Sequence, residues 1–450
     1  MAKLSFLSFL KRAGIGSESI VMSNLNIPSG KNSKDKSDDF STYELSSEDF
    51  LSPKLAVENP SMPQIPIISV GGCGVRIASA IAKRFKEYGL EYPILGIETN
   101  ENELNNHDLI SNKFLIPNTN AGTAKQYRKG ATLAIENKTA IDKAVDDYLQ
   151  SIEMRYDHEI VFLIFGAGGT GVGVSYELAK YLIEKGKRPV PIIFFPGREE
   201  NTRIQFTAAA ALYRFSYGPK EQCLNLCSLL VDNDYFFEKN SRKNFATTLY
   251  AINERIGSTI TDLLISTELD SVGYSADLNE FLEVFRNIRG VGMLNFMHSG
   301  GDYSNLNDFF TSKYAGANSG ELDIYQSTRS YLFIESTQDK VSAREYRMLI
   351  SGFDNSDIFP KFTETISEET NFEIRGIFTG LKLTSRIESL LQKAQDARVE
   401  LLNTEITNTA DGKDNPKINR LNADEEIDVK TGEELAKERS EEFAEYRRTH

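Results

Sequence analysis

Between Ile65 and about Leu230, short apolar runs alternate with longer stretches in which apolar residues recur at helical spacing. Short unbroken apolar runs predict strands buried on both faces, and the helical stretches between them predict crossover helices. Together they describe a sheet of parallel strands in an α/β fold. PIISV, YPILGIET, EIVFLIFGA and PVPIIFFP are the clearest strands. A long helical pattern follows from about Arg242 to Leu264. Beyond it, YLFIEST, KFTETISEE and FEIRGIFTGLKL are rich in β-branched and aromatic residues and predict a smaller second α/β unit.

The two ends read differently. MAKLSFLSFLKR, residues 1–12, places Phe6, Leu7, Phe9 and Leu10 on one side of a helix with Ser5, Ser8 and Arg12 opposite, a pattern suited to a membrane surface or an adaptor protein. The Ser, Lys and Asp-rich stretch that follows reads as a linker. After about Ala397 the chain turns highly charged, and a capping box from Thr431 to Glu434 opens an exposed helix pattern.

Composition narrows the class. The 450 residues exceed one ordinary domain, and 40% apolar with 26% charged residues is the balance of a globular protein. No apolar run reaches the about 20 residues of a membrane span, and no signal-peptide pattern opens the chain, so a cytoplasmic protein is expected. Cys73, Cys223 and Cys227 are too few and too odd in number for a disulfide framework and are expected as free thiols. A net charge of −14 argues against general nucleic-acid binding.

Two predicted strands end in glycine clusters that open helices, VGGCGVRIASAIAKRF and FGAGGTGVGVSYELAKYL. Glycine lets backbone N–H groups approach a phosphate closely, and the positive end of the following helix attracts its charge. One such turn would fit a dinucleotide-binding fingerprint, with Glu98 as the ribose contact and an NAD-dependent oxidoreductase as the outcome. Against that alternative, Ile77 occupies the third fingerprint position, and the longer cluster from Gly166 to Gly173 is left without a role. A P-loop is excluded because neither cluster ends in Gly-Lys-Ser/Thr.

The order of these motifs resembles the tubulin/FtsZ superfamily over about residues 65–385. GGCGVRIA, with Gly71, Gly72, Cys73, Gly74 and Arg76, is similar to the first phosphate loop. GAGGTGVG, with Gly166, Ala167, Gly168, Gly169, Thr170 and Gly171, is similar to the family signature, departing from it at Ala167 and Val172. Asn100 in IETN, with Gly122 and Thr123 in the next loop, resembles the contacts to the terminal phosphate and Mg²⁺. FFPGREENTRIQF resembles the loop with a ribose-binding acid and arginine, here Glu200 and Arg203, and LLVDNDYFF the stretch where an Asn, here Asn233, contacts guanine. On the long helix Tyr250 is placed to stack on the base, with Phe245 as the alternative ring, and Glu254 one turn on to accept from guanine N–H groups.

SADLNEF resembles the loop that such proteins insert into the neighbouring subunit's nucleotide pocket, with Asp277 and Glu280 as the carboxylates that orient the attacking water. The same two residues also fit an ordinary helix start. The resemblance implies a Rossmann-like parallel-sheet GTPase domain at 63–240 and a central helix at 241–268. A smaller α/β activation domain at 269–395 would follow, with an N-terminal extension at 1–62 and a charged tail at 396–450. It further implies GTP/GDP and Mg²⁺ as ligands, GTP hydrolysis, and head-to-tail filaments of the chain with itself. Such filaments serve cell division, cell shape, DNA segregation or membrane remodelling, and a nucleotide-binding scaffold with little hydrolysis is the alternative. Departures at Val172, Ser275 and Ala276 keep that alternative open, and the lack of a short partner-binding peptide like the one FtsZ carries at its end leaves the subfamily open between division FtsZ-like, TubZ-like, phage and archaeal forms.

Overall fold

The structure, a computed structural model, describes residues 55, 60–63, 65–117, 122–123, 125–152, 159–198, 200–218, 223–239, 245–269, 276–298, 306, 310, 324–336, 341–353, 357–364, 372–392 and 394. The amphipathic segment 1–12, Ser275 and the charged tail lie outside them. The strands are β1 Ile67–Val70, β2 Ile94–Glu98, β3 Asn112–Leu115, β4 Ile160–Gly166, β5 Arg188–Phe195, β6 Cys227–Asp232, β7 Gly290–His298, β8 Arg329–Ser336, β9 Asp357–Glu364 and β10 Phe372–Leu381. They form one sheet in the order β3-β2-β1-β4-β5-β6-β7-β10-β8-β9. From β3 to β7 every neighbouring pair is parallel; β10 runs antiparallel to both β7 and β8, and β8 pairs with β9 in parallel.

Order 3-2-1-4-5-6 is that of a doubly wound sheet, and the switch point falls between β1 and β4. The strands that flank it read as continuous apolar runs because both faces are covered: β4 is buried at every position. Val161, Leu163 and Phe165 face one core, shared with α3 Tyr127–Glu136, α4 Lys138–Ser151, α5 Gly169–Glu184 and α6 Thr202–Leu212. Ile160, Phe162 and Ile164 face the other, shared with α1 Gly71–Glu87, α8 Phe245–Ser266 and α9 Leu278–Glu283. Further helices are α2 Glu101–Asn105, α7 Asn233–Lys239, α10 Ala343–Ser351 and α11 at 385–392. β6 and β7 pair only through Cys227–Leu229 and Gly290–Gly292, so the two parts of the sheet meet along a narrow seam.

A buried ionic cluster ties α1, α8, β8 and β10 together across that seam. The Arg375 guanidinium pairs with Asp262 at 2.9 Å, Glu335 at 2.6 Å and Glu373 at 3.0 Å. Arg84 pairs with Asp262 at 3.0 Å, and the Tyr88 hydroxyl donates to Asp262 at 2.8 Å. Burial pushes the Glu335 carboxyl up to about 7; Arg375 opposes this and Glu373 adds to it. A folded pKa above the ordinary value of about 4.3 means a stability contribution fully present below that value and lost as pH rises through about 7. Glu335→Gln is therefore expected to flatten this loss: between pH 5 and 8 the wild type should fall by about 2 kcal/mol relative to the variant in urea unfolding.

Candidate functional site

β1 and β4 lie side by side and end at the same edge of the sheet, so the two glycine turns meet there. The backbone of Gly71 has φ +75°, and a Cβ on it would stand 2.9 Å from the Gly171 nitrogen. A Cβ on Gly166 would stand 2.6 Å from Cys73 Cβ, and one on Gly171 2.5 Å from the Gly166 carbonyl. These glycines are required by the interlock of the two turns themselves. Gly168 differs, because nothing lies within 4 Å of its Cβ position. It N-caps α5 with no side-chain hydrogen bond, so the first-turn N–H groups of Gly169, Thr170 and Gly171 have no acceptor of their own within the helix. α1 likewise starts after Val70 without a side-chain cap.

A third segment is drawn in by helix packing. Gly130 of α3 and Gly173 of α5 allow those helices to touch backbone to backbone, which carries Thr123 and Gln126 onto the start of α5. As a result the Thr170 hydroxyl lies 2.9 Å from that of Thr99 and 3.1 Å from that of Thr123, all three buried. Gly122 at φ +63° sits over Thr99. Thr99 stands next to Asn100 and no motif singled it out, although a hydroxyl at the carboxyl end of a buried strand beside the switch point was a usable signal. Glu98 is turned inward: its carboxylate accepts from the Thr99 nitrogen at 2.6 Å, the Thr99 hydroxyl at 3.0 Å and the Asn100 nitrogen at 3.2 Å. Burial raises its pKa. Asn100 caps α2 through its side chain. The ribose contact of a dinucleotide fold is thus spent on holding this turn.

Arg76 leaves the loop to pair with Glu103 of α2 at 2.6 Å. The Cys73 thiol, packed against Gly166, is pushed up to about 11 by burial, with Arg76 opposing this and Glu200 and Glu103 adding to it. Glu200 accepts from the Gly197 nitrogen at 3.3 Å, whereas Arg203 is exposed on α6. Beside it, the end of β6 is fixed by charges that the motifs did not reveal. Asp234 pairs with Arg198 at 2.8 Å and with Arg386 of α11 at 3.0 Å, and Arg386 also pairs with Asp232 at 2.6 Å. Burial pushes the Asp232 carboxyl up to about 6 against the pull of Arg386. Asn233 lies between these acids, 9% exposed, and its amide oxygen has no hydrogen-bond partner among the described residues.

Tyr250 and Glu254 are not brought to the glycine turns. They face Lys83 of α1, whose ammonium donates to Glu254 at 2.7 Å and to the Tyr250 hydroxyl at 3.2 Å, and the Glu254 hydrogen bond raises the Lys83 pKa. Lys83 lies twelve residues beyond Gly71, about 18 Å along the helix. The Tyr250 ring is 58% exposed.

Asp277 and Glu280 occupy the opposite edge of the sheet. Asp277 N-caps α9 in a capping box: its Oδ1 accepts from the Glu280 nitrogen and Glu280 accepts from the Asp277 nitrogen, both at 3.0 Å. The far end of α9 is held by Arg188 on the Phe285 carbonyl at 2.8 Å, Thr379 on the Val284 carbonyl at 2.7 Å and Arg329 on the Arg286 carbonyl at 2.9 Å. Arg286 pairs with Glu159, immediately before β4, whereas Gly166 ends that strand seven residues later. At the rise of an extended strand these points are about 23 Å apart. The acidic turn and the glycine turns of one chain therefore lie at opposite edges of one sheet.

Among the described residues no group of three or more His, Cys, Asp or Glu side chains forms a metal cage, the three cysteines are free, and no helix is long and apolar enough to cross a membrane. No protein-family profile matches the sequence, and no curated protein matches it either. Solved structures do. CetZ2 from Haloferax volcanii in a GTPγS-bound protofilament is 20% identical, covers 75% of this chain and 99% of its own, and superposes with a TM-score of 0.62. An empty FtsZ dimer of M. jannaschii is 20% identical over 71% of this chain and 89% of that one, at 0.57. TubZ of Bacillus thuringiensis serovar israelensis, in a GTPγS-form protofilament, is 15% identical over 76% and 94%, at 0.59. The chain has the tubulin/FtsZ fold.

Proposed function

We propose that this protein binds GTP at the β1/β4 edge, polymerises head to tail with itself, and hydrolyses the nucleotide in a site completed by the next subunit's acidic turn. The observation that carries this reading is the placement of the two half-sites at opposite edges of one sheet. A subunit cannot bring Asp277 to its own glycine turns, but subunits stacked along the strand direction can, through a heterologous interface that repeats into a filament.

In this reading the α5 N-terminus and both glycine turns receive the phosphates, and the hydroxyls of Thr123 and Thr170 donate to their oxygens, while Thr99, whose proton goes to Glu98, holds the Thr170 hydroxyl in place. Gly122 and Asn100 shape the adjoining turn. Mg²⁺ would arrive with the phosphates, which supply most of its ligands alongside these hydroxyls and water, and it would neutralise charge on the nucleotide. Glu200 accepts from the ribose, with Arg203 nearby on α6. Asn233 offers its unpartnered amide oxygen to guanine donors, and Tyr250 with Glu254 serves the base only once Glu254 is released by Lys83. From the neighbouring subunit, Asp277 Oδ2, which takes no part in the cap, accepts a proton of the attacking water and orients it. Glu280 holds the cap and adds negative charge. We place the nucleotide domain at 63–240, the central helix at 241–268 and the activation domain at 269–395, divided at the narrow β6–β7 seam. The reading extends to a cytoplasmic filament acting in division, shape, DNA segregation or membrane remodelling, with residues 1–12 as the link to a membrane or adaptor.

The capping box favours one second reading, a polymerising scaffold with slow hydrolysis, because the carboxylates already serve the backbone. Phosphate release from GTP across a protein-concentration series, with sedimentation alongside, separates the two. The shared-site reading expects activity per molecule to rise steeply above a threshold concentration. Sedimentation with GTP but no phosphate release supports the scaffold, and neither signal contradicts both.

A further inference from the structure

We infer that Arg386 is a positioning residue for nucleotide recognition, through which docking of α11 sets the geometry of the turns that carry Asn233 and Glu200. This rests on the proposed GTP-binding reading and adds to it a residue far in sequence from all its partners, 190 positions in the case of Pro196. The Arg386 side chain is 17% exposed and makes three contacts, each to a different segment of the edge. It meets Asp232 at the end of β6 at 2.6 Å and Asp234 in the first turn of α7 at 3.0 Å, and it donates to the Pro196 carbonyl after β5 at 2.6 Å. Asn233 is thereby held between two acids bound to one guanidinium.

The tie extends to the ribose side. Asp234 also accepts from the Arg198 backbone nitrogen at 2.7 Å, and Gly197, next to Pro196, donates to Glu200 at 3.3 Å and accepts from Gln205 at 2.6 Å. The Pro196 carbonyl takes a hydrogen bond from Nη2, whereas the two acids are held as ion pairs, with Nε and Nη1 of Arg386 outside hydrogen-bond geometry among the described residues. One planar, delocalised guanidinium spans all three partners, and the point charge of an ammonium does not. Ile387, Leu390 and Leu391 bury α11 in the core, so the guanidinium is delivered from a packed helix. Because coupling is reciprocal, nucleotide in the pocket would in turn stabilise the docked α11, the last helix among the described residues.

The test uses the full chain below its assembly threshold and measures dissociation constants for GTP and for ITP, which lacks the 2-amino group that the Asn233 oxygen can accept from. In Arg386→Gln, GTP binding is expected to weaken by about tenfold or more, and the preference for GTP over ITP to collapse toward unity. Arg386→Lys, which keeps the charge without the fork, should fall between, and it decides the matter if the glutamine variant does not fold. A merely structural role would weaken both nucleotides equally or lower only the melting temperature. Either that pattern or unchanged binding in folded variants overturns the inference while leaving GTP binding intact. A wild type that binds neither nucleotide overturns the GTP-binding reading itself.

Discussion

Gly168→Val is expected to abolish nucleotide binding while the protein remains folded, with the dissociation constant for GTP raised on the order of 100-fold or more. The expectation follows from the contrast among the glycines of the two turns. At Gly168 the backbone is extended, φ −82° and ψ 167°, which any residue adopts, and nothing occupies the space a side chain would fill. The only intramolecular cost is a poorer N-cap, about 1 kcal/mol. The isopropyl group would project beside the α5 N–H groups, where an anion must come. Gly171→Val is the informative opposite: its Cβ would meet the Gly166 carbonyl at 2.5 Å, so that variant should lose stability, about 1–3 kcal/mol, along with binding. Thermal unfolding and fluorescent-nucleotide titration distinguish the two. A Gly168→Val protein that binds GTP normally would remove the phosphate site from this edge.

Asp277→Asn is the second large effect. Asparagine caps a helix as well as aspartate does, so α9 should keep its start and the protein its stability. The carboxylate that would orient and polarise the water is lost, and phosphate release per assembled subunit should fall by about 100-fold or more, as for other positioned bases. Filaments should persist, because GTP is still bound and no longer consumed. The amide variant separates the catalytic proposal from the capping role, which alanine would confound. Unchanged phosphate release from pelleted Asp277→Asn filaments would reduce Asp277 to a helix cap.

What could be read in the sequence followed how each feature is held. β1, β2, β4 and β5 stand out as apolar runs because helices cover both faces, and β8 and β10 because their β-branched and aromatic residues are buried at nearly every position. β3 is an edge strand with the half-exposed sequence NKFL, and it leaves no such trace. β7, GVGMLNFMH, breaks the pattern with Asn295 and two glycines; Gly292 lies where a Cβ would press on Leu229 and Thr379. The glycine turns were legible because no other residue fits where Gly71, Gly166 and Gly171 meet. Asp277 and Glu280 were legible as a pair because a capping box is local.

The charges around Asn233 were not, since Arg386, Asp232 and Arg198 come together only through the fold. Tyr250 and Glu254 were placed by spacing along a helix, which fixes their shared face but not the Lys83 of another helix waiting opposite. The central helix was expected over about Arg242 to Leu264; residues 242–244 lie outside the described residues, and the described part, Phe245–Ser266, ends two residues beyond the expected end, a difference of the size expected at helix ends.

The central claim, that one site is built from two subunits, is tested most directly by mixing two inactive proteins. Gly168→Val retains its acidic turn but cannot hold GTP, and Asp277→Asn holds GTP but lacks the acid. A Gly168→Val subunit docked on a GTP-loaded Asp277→Asn subunit would complete a working site, so phosphate release is predicted to rise in the mixture well above the residual level, about a hundredth of wild type or less, that each variant gives alone. If cross-linking shows that the two proteins associate and the mixture stays as inactive as its parts, the shared site is contradicted.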